Sequence, residues 1–403
     1  MQAIRAPAAF DGERFLEGGA TVLVDGERIV GVEPFGFDVP HGTEETSYDG
    51  TLLPGLIDTH VHLVADGTPG GLEAAGALGD DEVTTVVRRT LAQQAASGTT
   101  TVRDLGDARY LTLGFRDAAS PGVPRIVASG PPFTIRDGHC HYLGGVAEGP
   151  ADIRDAMAEH VERGVDVVKV MASGGMLTPG SDQLGVQFTA EDLRLIVDLA
   201  HEAGLPVHAH AHSLRGAWHA LAAQVDGIEH FSCLTDTGMQ TPPELLAAVA
   251  AAGTVVCPTI GWDRSMIDPD RMPPALRLLT ERMGLDPDSM VSARAEQARQ
   301  LRAHGVTIVS GLDAGVSPPK AHGNLWRSVL ELVHAGFPVE EALATATSVA
   351  ADVCRLSEVT GRLRAGLAAD LLVVSGDLRS EPTLLAEPVH VVIRGVPCSP
   401  PVP

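Results

Sequence analysis

An α/β architecture, a (β/α)8 TIM barrel with a small β-sandwich attached, is predicted from three features of the chain. Its 403 residues exceed the roughly 250 that such a barrel takes, leaving room for one accessory unit. From about residue 51 to 358, apolar strand-like runs alternate with helix-like stretches. The polar interruptions gather at the carboxyl ends of those runs, where barrels carry their active sites.

Residues 1–50 read as short strands punctuated by turns. TVLV and RIVGV flank Asp25-Gly26-Glu27, a hairpin signal, and Asp11-Gly12 marks an earlier turn. The stretch from 361 to 403 is similar, with DLLVV and then VHVVIRGV separated by Gly and Pro. Neither end can bury a core alone, so pairing 1–50 with 361–403 into one β-sandwich is the expected solution, with 51–360 as the barrel.

Eight strand candidates follow one another: LLPGLIDTHVHL, TTTVRDLG, RIVASGPPF, VDVVKVMASG, LPVHAHAH, DGIEHF, TVVCPTI and VTIVSGLDAG. Between them lie helix-like segments over 82–97, 150–163, 189–203, 213–225, 241–252 and 287–304. Near-continuous apolar strands alternating with helices imply parallel pairing with both sheet faces covered.

Bulk properties narrow the function. Lys plus Arg number 29 against 52 Asp plus Glu, a formal charge of −23, which repels phosphate backbones and anionic lipid; neither nucleic acid nor membrane is an expected partner. Five scattered cysteines without a C-x-x-C pair suit a reducing compartment. The start has no apolar signal region, and no apolar run reaches the roughly 18 residues that span a bilayer. A cytoplasmic location is expected.

The chemistry lies at the strand ends. In DTHVHL, alternation puts Asp58, His60 and His62 on one face, with two imidazoles able to converge on one cation. Lys169 stands among valines in VDVVKVMASG, and a buried ammonium there needs an explanation. It is either a buried ion pair with Asp104 or Asp166, or a desolvated amine that takes up carbon dioxide as a carbamate. LPVHAHAH aligns His208, His210 and His212; His230 ends DGIEHF and Asp313 ends VTIVSGLDAG. Each histidine alone is most often a hydrogen-bonded core residue; five strands ending this way form a constellation. Asp104, at a strand-to-turn junction, reads as a cap on backbone amides.

These motifs resemble the amidohydrolase superfamily across nearly the whole chain: LLPGLIDTHVHL, VVKVMASGG, HAH, IEH, GLDAG and the tail GRLRAGLAADLLVVSGDL. GHCHYLGG, VKVMASGG and the HGNL segment at His322–Leu325 are similar to its Xaa-Pro dipeptidase, or prolidase-like, branch. The resemblance implies that His60, His62 and Asp313 bind one divalent metal and His210 and His230 a second, with Lys169, carboxylated by CO2, bridging both. Zinc is the usual cation in such sites, and the ligands fit it without excluding manganese, cobalt or iron. It further implies a metal-bridging hydroxide that attacks an amide carbonyl, with Asp313 moving the proton to the leaving amine. His139, His141, His212 and His322 are implied substrate contacts; for His139 and His141 the alternative is a loop fixed by hydrogen bonds.

The expected activity is hydrolysis of a small amide: a dipeptide, an N-acyl amino acid or a relative. A deaminase or cyclic imidazolone hydrolase is the alternative, although His210-Ala211-His212-Ser213 lacks the acidic residue such enzymes carry after the fifth strand. A catalytically silent binding protein is disfavoured by six intact ligand positions. The superfamily's barrels often associate, so a homo-oligomer is compatible with the sequence. Gly261–Asp288, with Trp262, Met266, Met272 and Met283, is either a lid over the substrate or a solvated excursion.

Overall fold

Strand and helix alternate from Leu56 onward because each buried apolar run is followed by a stretch with one apolar face. The computed structural model describes residues 1–267, 277 and 287–398. Its central strands are β1 (Leu56–Val61), β2 (Thr99–Asp104), β3 (Arg125–Ala128), β4 (Val168–Met171), β5 (Val207–Ser213), β6 (Gly227–Thr235) and β7 (Val255–Cys257). β1, β2 and β4 are buried throughout, as strands covered on both faces must be. The helix Ala190–Glu202 shows the complementary logic. Leu193, Ile196, Val197 and Ala200 form its buried stripe, and the Thr189 hydroxyl accepts the Asp192 N–H at its start.

All central pairings are parallel: β1 with β2 and β2 with β3 in one sheet, then β4, β5, β6 and β7 in the next. Single bridges connect the two sheets at both edges. Phe133 bridges Val170 beyond the end of β3, while Ile308 bridges Val256 and Ala314 bridges Val61.

The eighth expected strand, VTIVSGLDAG, does not form a regular ladder; it contributes those two bridges only. The cause is local. The Leu312 N–H is taken by the Asp58 carboxylate at 3.0 Å, and Asp313 adopts a left-handed φ of 62°. Gly311 lies so close to β1 that a Cβ would meet the His60 Cβ at 2.8 Å.

The chain ends build two further sheets. One has four strands, in the order Arg28–Pro34, Ala20–Asp25, Gln2–Ala6, Glu44–Ser47. The other has six, in the order Val396–Cys398, Pro388–Ile393, Leu371–Ser375, Gly50–Pro54, Ala8–Phe10, Phe15–Leu16. Asp25 pairs with Arg28, closing the expected hairpin. Ile4, Val22, Ile29, Leu52, Leu371 and Val392 pack into one cluster drawn from both sheets and both chain ends. Gly50–Pro54 belongs to this assembly and continues almost directly into β1. Among the described residues no helix is long and apolar enough to cross a membrane.

Candidate metal centre

The donor-bearing residues stand where the strands stop. His60 and His62 lie at the end of β1, His210 and His212 near the end of β5, His230 within β6, and Asp313 beside β1. His230, Thr259 and Asp313 all have left-handed φ values, 67°, 48° and 62°. None is glycine, and each such residue costs about 1–3 kcal/mol of backbone strain, a cost that persists where the surrounding structure over-determines it.

Among the described residues three groups of possible donors result; one joins His60 to Glu229 and Cys257, which lie beneath the cavity wall, and the other two line it. His60, His62 and Asp313 place their ligand atoms within 4.8 Å of one another, as do His210, His212 and His230. The His60 and His230 rings, 5.2 Å apart, join the sets. Nε2 of His60 and of His62 lie 3.5 and 3.4 Å from Asp313 Oδ1, and Lys169 Nζ is 3.4 Å from His60 Nε2.

Hydrogen bonds select which nitrogen of each ring is left for a cation. Nδ1 of His60 is held by Glu229 at 2.7 Å, Nδ1 of His62 by the Gly106 carbonyl at 3.0 Å, and Nδ1 of His230 by Thr259 Oγ1 at 2.8 Å. All three therefore offer Nε2. His210 is reversed: Nε2 meets the Gly174 carbonyl at 3.2 Å, leaving Nδ1. Burial lowers the pKa of His60 to about 4 and pushes His210, His212 and His230 well below the ordinary histidine range. The imidazoles are thus neutral at pH 7, the form that ligates metal. Asp313 is driven the other way. Against the effect of burial, Lys320, His60 and His62 hold its carboxyl far below the usual range, so it stays ionised. Neutral imidazoles converging with an ionised carboxylate form a donor set that fits one or more divalent cations.

Lys169 is 1% exposed, and neither expected carboxylate pairs with it. Asp104 accepts the Leu63 and Gly106 amides, as a capping aspartate should, and Asp166 is held by Arg116 and the Ala128 amide. Burial lowers the lysine pKa. Among the described residues Lys169 makes no direct ion pair, although the Glu229 and Asp313 charges act on it through space.

A cavity of about 670 Å³ opens over the centre and includes His139, Tyr142, Trp262, Arg294 and Lys320 in its wall. His139 is fixed through Thr178 and Gln187, with its ring 4.5 Å from that of His210. His212, expected to contact substrate, stands within the second donor set, its Nδ1 held by Ser232. His141 and His322 lie outside the cavity wall: His141 bonds the Gly138 carbonyl, while His322 ties Gln94 to the Ala65 carbonyl. Of the possible lid, Trp262 and Met266 line the cavity; Met272 and Met283 lie outside the described residues.

Four contributors escaped the sequence reading. Glu229, fully buried, accepts from His60, from His208 at 2.7 Å and from Arg103 at 3.2 Å. A glutamate inside the apolar run of DGIEHF was the signal for it, since a buried carboxylate needs partners. Lys320 donates to the Thr259 carbonyl at 2.9 Å and faces Asp313 Oδ2 at 3.4 Å. Arg294 donates to the His230 and Pro258 carbonyls. No local pattern marks Lys320, Arg294 or Tyr142.

A parallel α/β fold with a histidine-rich donor cluster at its strand ends suits a hydrolase with a metal centre, and the comparisons place the chain among hydrolases. The sequence model of the amidohydrolase family matches residues 51–398. The chain belongs to that family, within its prolidase-like branch, and is an enzyme, a hydrolase acting on C–N bonds with the family's TIM-barrel fold. It is 26% identical to ochratoxinase of Aspergillus niger, covering 94% of this chain and 82% of that protein. Imidazolonepropionase of Micrococcus luteus is 28% identical over 88% of this chain and 87% of its own. A solved Xaa-Pro dipeptidase with methionine bound in its active site superposes with a TM-score of 0.84 at 26% identity, covering 98% and 99% of the two chains.

Proposed function

We propose that this enzyme hydrolyses the amide bond of a small substrate, a dipeptide, an N-acyl amino acid or a related amide, at a centre of two zinc ions. His60, His62 and Asp313 would hold the first cation and His210 and His230 the second, with Lys169 as its carbamate between them. The observation that carries this reading is Lys169 itself: a buried lysine in no direct salt bridge among the described residues, 3.4 Å from His60 Nε2 and beside two donor sets. The rest of the assignment is a closed eight-stranded barrel over 51–360, with 1–50 and 361–403 as the β-sandwich unit.

Such cations supply Lewis acidity, polarising a carbonyl and lowering the pKa of water to about 7. The chain's own groups do the remainder. Asp313, ionised and anchored through Oδ2 by Lys320, accepts the proton of the attacking water and passes it to the leaving amine. Glu229 holds His60 in one tautomer and ring orientation. Trp262, Met266 and Leu177 form an apolar wall that keeps bulk water from the reacting groups.

A second reading, hydrolysis of a cyclic imidazolone, draws support from the likeness to imidazolonepropionase. The absence of an acidic residue in His210-Ala211-His212-Ser213 weighs against it. Zinc-reconstituted enzyme assayed against dipeptides, N-acyl amino acids, small lactams and imidazolones decides between them, with zinc measured in parallel. Turnover of linear amides with two zinc ions per chain is expected. One ion at full activity would sink the binuclear centre, and turnover confined to imidazolones would transfer the assignment to the second reading.

A further inference from the structure

A second cavity lies at the opposite ends of the strands. Its volume is about 370 Å³, and four arginines line it: Arg116, Arg125, Arg355 and Arg394, with Asp166 as the one carboxylate in the wall. Arg125 opens β3, and Asp166 stands two residues ahead of β4. Arg394 sits in the turn between Pro388–Ile393 and Val396–Cys398, and Arg355 follows the helix Ser348–Val353. These are the amino ends of parallel strands, whereas the metal donors stand at the carboxyl ends.

The charge balance there is unlike the rest of the molecule. In a chain of formal charge −23, chance would rarely gather four guanidinium groups around one hollow. Arg116 is compensated by Asp117 at 2.8 Å and Asp166 at 2.9 Å. Arg355, exposed to solvent, donates only to the Gly204 carbonyl, and Arg394 to the carbonyls of Ala119, Ser120 and Val123, so neither forms a salt bridge among the described residues. The Arg125 side chain makes no hydrogen bond or ion pair among the described residues, and the buried Nε atoms of Arg125 and Arg394 both lack a partner. Asp370, buried behind them, already accepts the Arg394 backbone N–H and the Thr360 hydroxyl. Three guanidinium groups therefore line one small cavity without a direct salt bridge, with the Asp370 charge acting on Arg125 and Arg394 through space. Like charges gathered around one part-buried hollow favour a counter-anion, and planar guanidinium forks match the oxygens of phosphoryl groups.

We propose that this cavity is a second binding site, for a small phosphoryl oxyanion carrying about two or more negative charges. Arg125 is its principal donor, with Arg355 and Arg394 completing the ring. Its volume admits a phosphate ion or a compact phosphomonoester and excludes a nucleic acid strand.

The test is a thermal-shift titration of the metal-loaded enzyme with inorganic phosphate and with glycerol 2-phosphate, ionic strength held constant with chloride. A saturable rise in Tm is expected, about 1–2 °C at roughly ten times Kd. Arg125→Gln and Arg355→Gln should each weaken the anion by about tenfold or more. Without anion, the Tm of Arg125→Gln should equal or exceed that of wild type, because a repelled charge has been removed. His210→Ala, at the other end of the strands, should keep the anion affinity. Tighter binding of the ester identifies a phosphorylated metabolite as the ligand, and tighter binding of phosphate identifies the free ion. No saturable shift up to about 10 mM, an unchanged affinity in both arginine variants, or a shift lost in His210→Ala would overturn the proposal.

Discussion

Replacing Glu229 by Gln probes the buried network beneath the metal centre. The side chain keeps its shape and loses its charge, while three contacts depend on that charge: His60 and His208 at 2.7 Å and Arg103 at 3.2 Å. Arg103 is 1% exposed, and stranding a buried ion this way costs about 3–5 kcal/mol. Unfolding entropy is about 2.1 cal/mol/K per residue, so over this chain the loss corresponds to a fall in Tm of about 3–6 °C. Relaxed control of the His60 tautomer should also reduce zinc affinity or kcat/KM by about 10–100-fold. The sign with pH is fixed by direction. His60, His208 and Arg103 outweigh burial and hold the folded Glu229 pKa well below its ordinary value. The stabilisation is complete above the unfolded pKa of about 4.3 and is lost only as pH falls toward the folded value. The gap between wild type and variant should therefore stay constant from pH 5 to 8 in scanning calorimetry. A Tm loss under about 1 °C together with wild-type kcat/KM would refute the reasoning, as would a gap that closes at pH 5.

Asp313→Asn should lower kcat by about 10²–10⁴ with a smaller change in KM, as removal of a proton carrier does; near-wild-type turnover would remove Asp313 from that role. Lys169→Ala should lose the second zinc ion and most activity, with formate or acetate restoring part of both; a variant retaining two ions would count against the carbamate. Burial and then the Asp104 charge push the Asp107 carboxyl up to about 7, and its Oδ1 has no partner. Wild type consequently loses stability as pH rises from about 4 to 7, and the isosteric Asp107→Asn should exceed it by a margin that grows over that window and then levels off. Equal Tm values at pH 8 would contradict this. Trp262→Ala should raise KM for bulky apolar amides more than for small ones, and a uniform change across a graded series would make Trp262 a purely structural part of the wall.

The donor positions were readable because strand periodicity is rigid: His60 and His62 must share a face, and so must His210 and His212. The role of His212 was less readable. Its grouping with His210 and His230 depends on the left-handed turn of the chain at His230, which no alternation rule conveys. Glu229, His208 and Arg103 meet from three different strands, and their coupling is visible only in the folded chain, where a side chain of β2 reaches those of β5 and β6 although β2 pairs with neither. Lys320 and Arg294 reach the cavity from segments far along the chain, where a cation reads as ordinary surface. The eighth strand is the least regular because, although its apolar run is genuine, the Asp58 carboxylate and the tight passage at Gly311 divert part of its hydrogen bonding.

The sheet that joins the two chain ends has a consequence during synthesis. Gly50–Pro54 pairs on one side with Ala8–Phe10 and on the other with Leu371–Ser375. As the chain leaves the ribosome, the second partner follows only after more than three hundred further residues. At about 5–20 residues per second that interval is roughly 15–65 s. Throughout it the strand presents an open row of backbone donors and acceptors beside apolar Leu52 and Leu53, the kind of edge on which nascent chains pair with one another. Yield in a heterologous host should therefore respond to translation speed and to chaperones that shield β edges more than to any property of the finished enzyme.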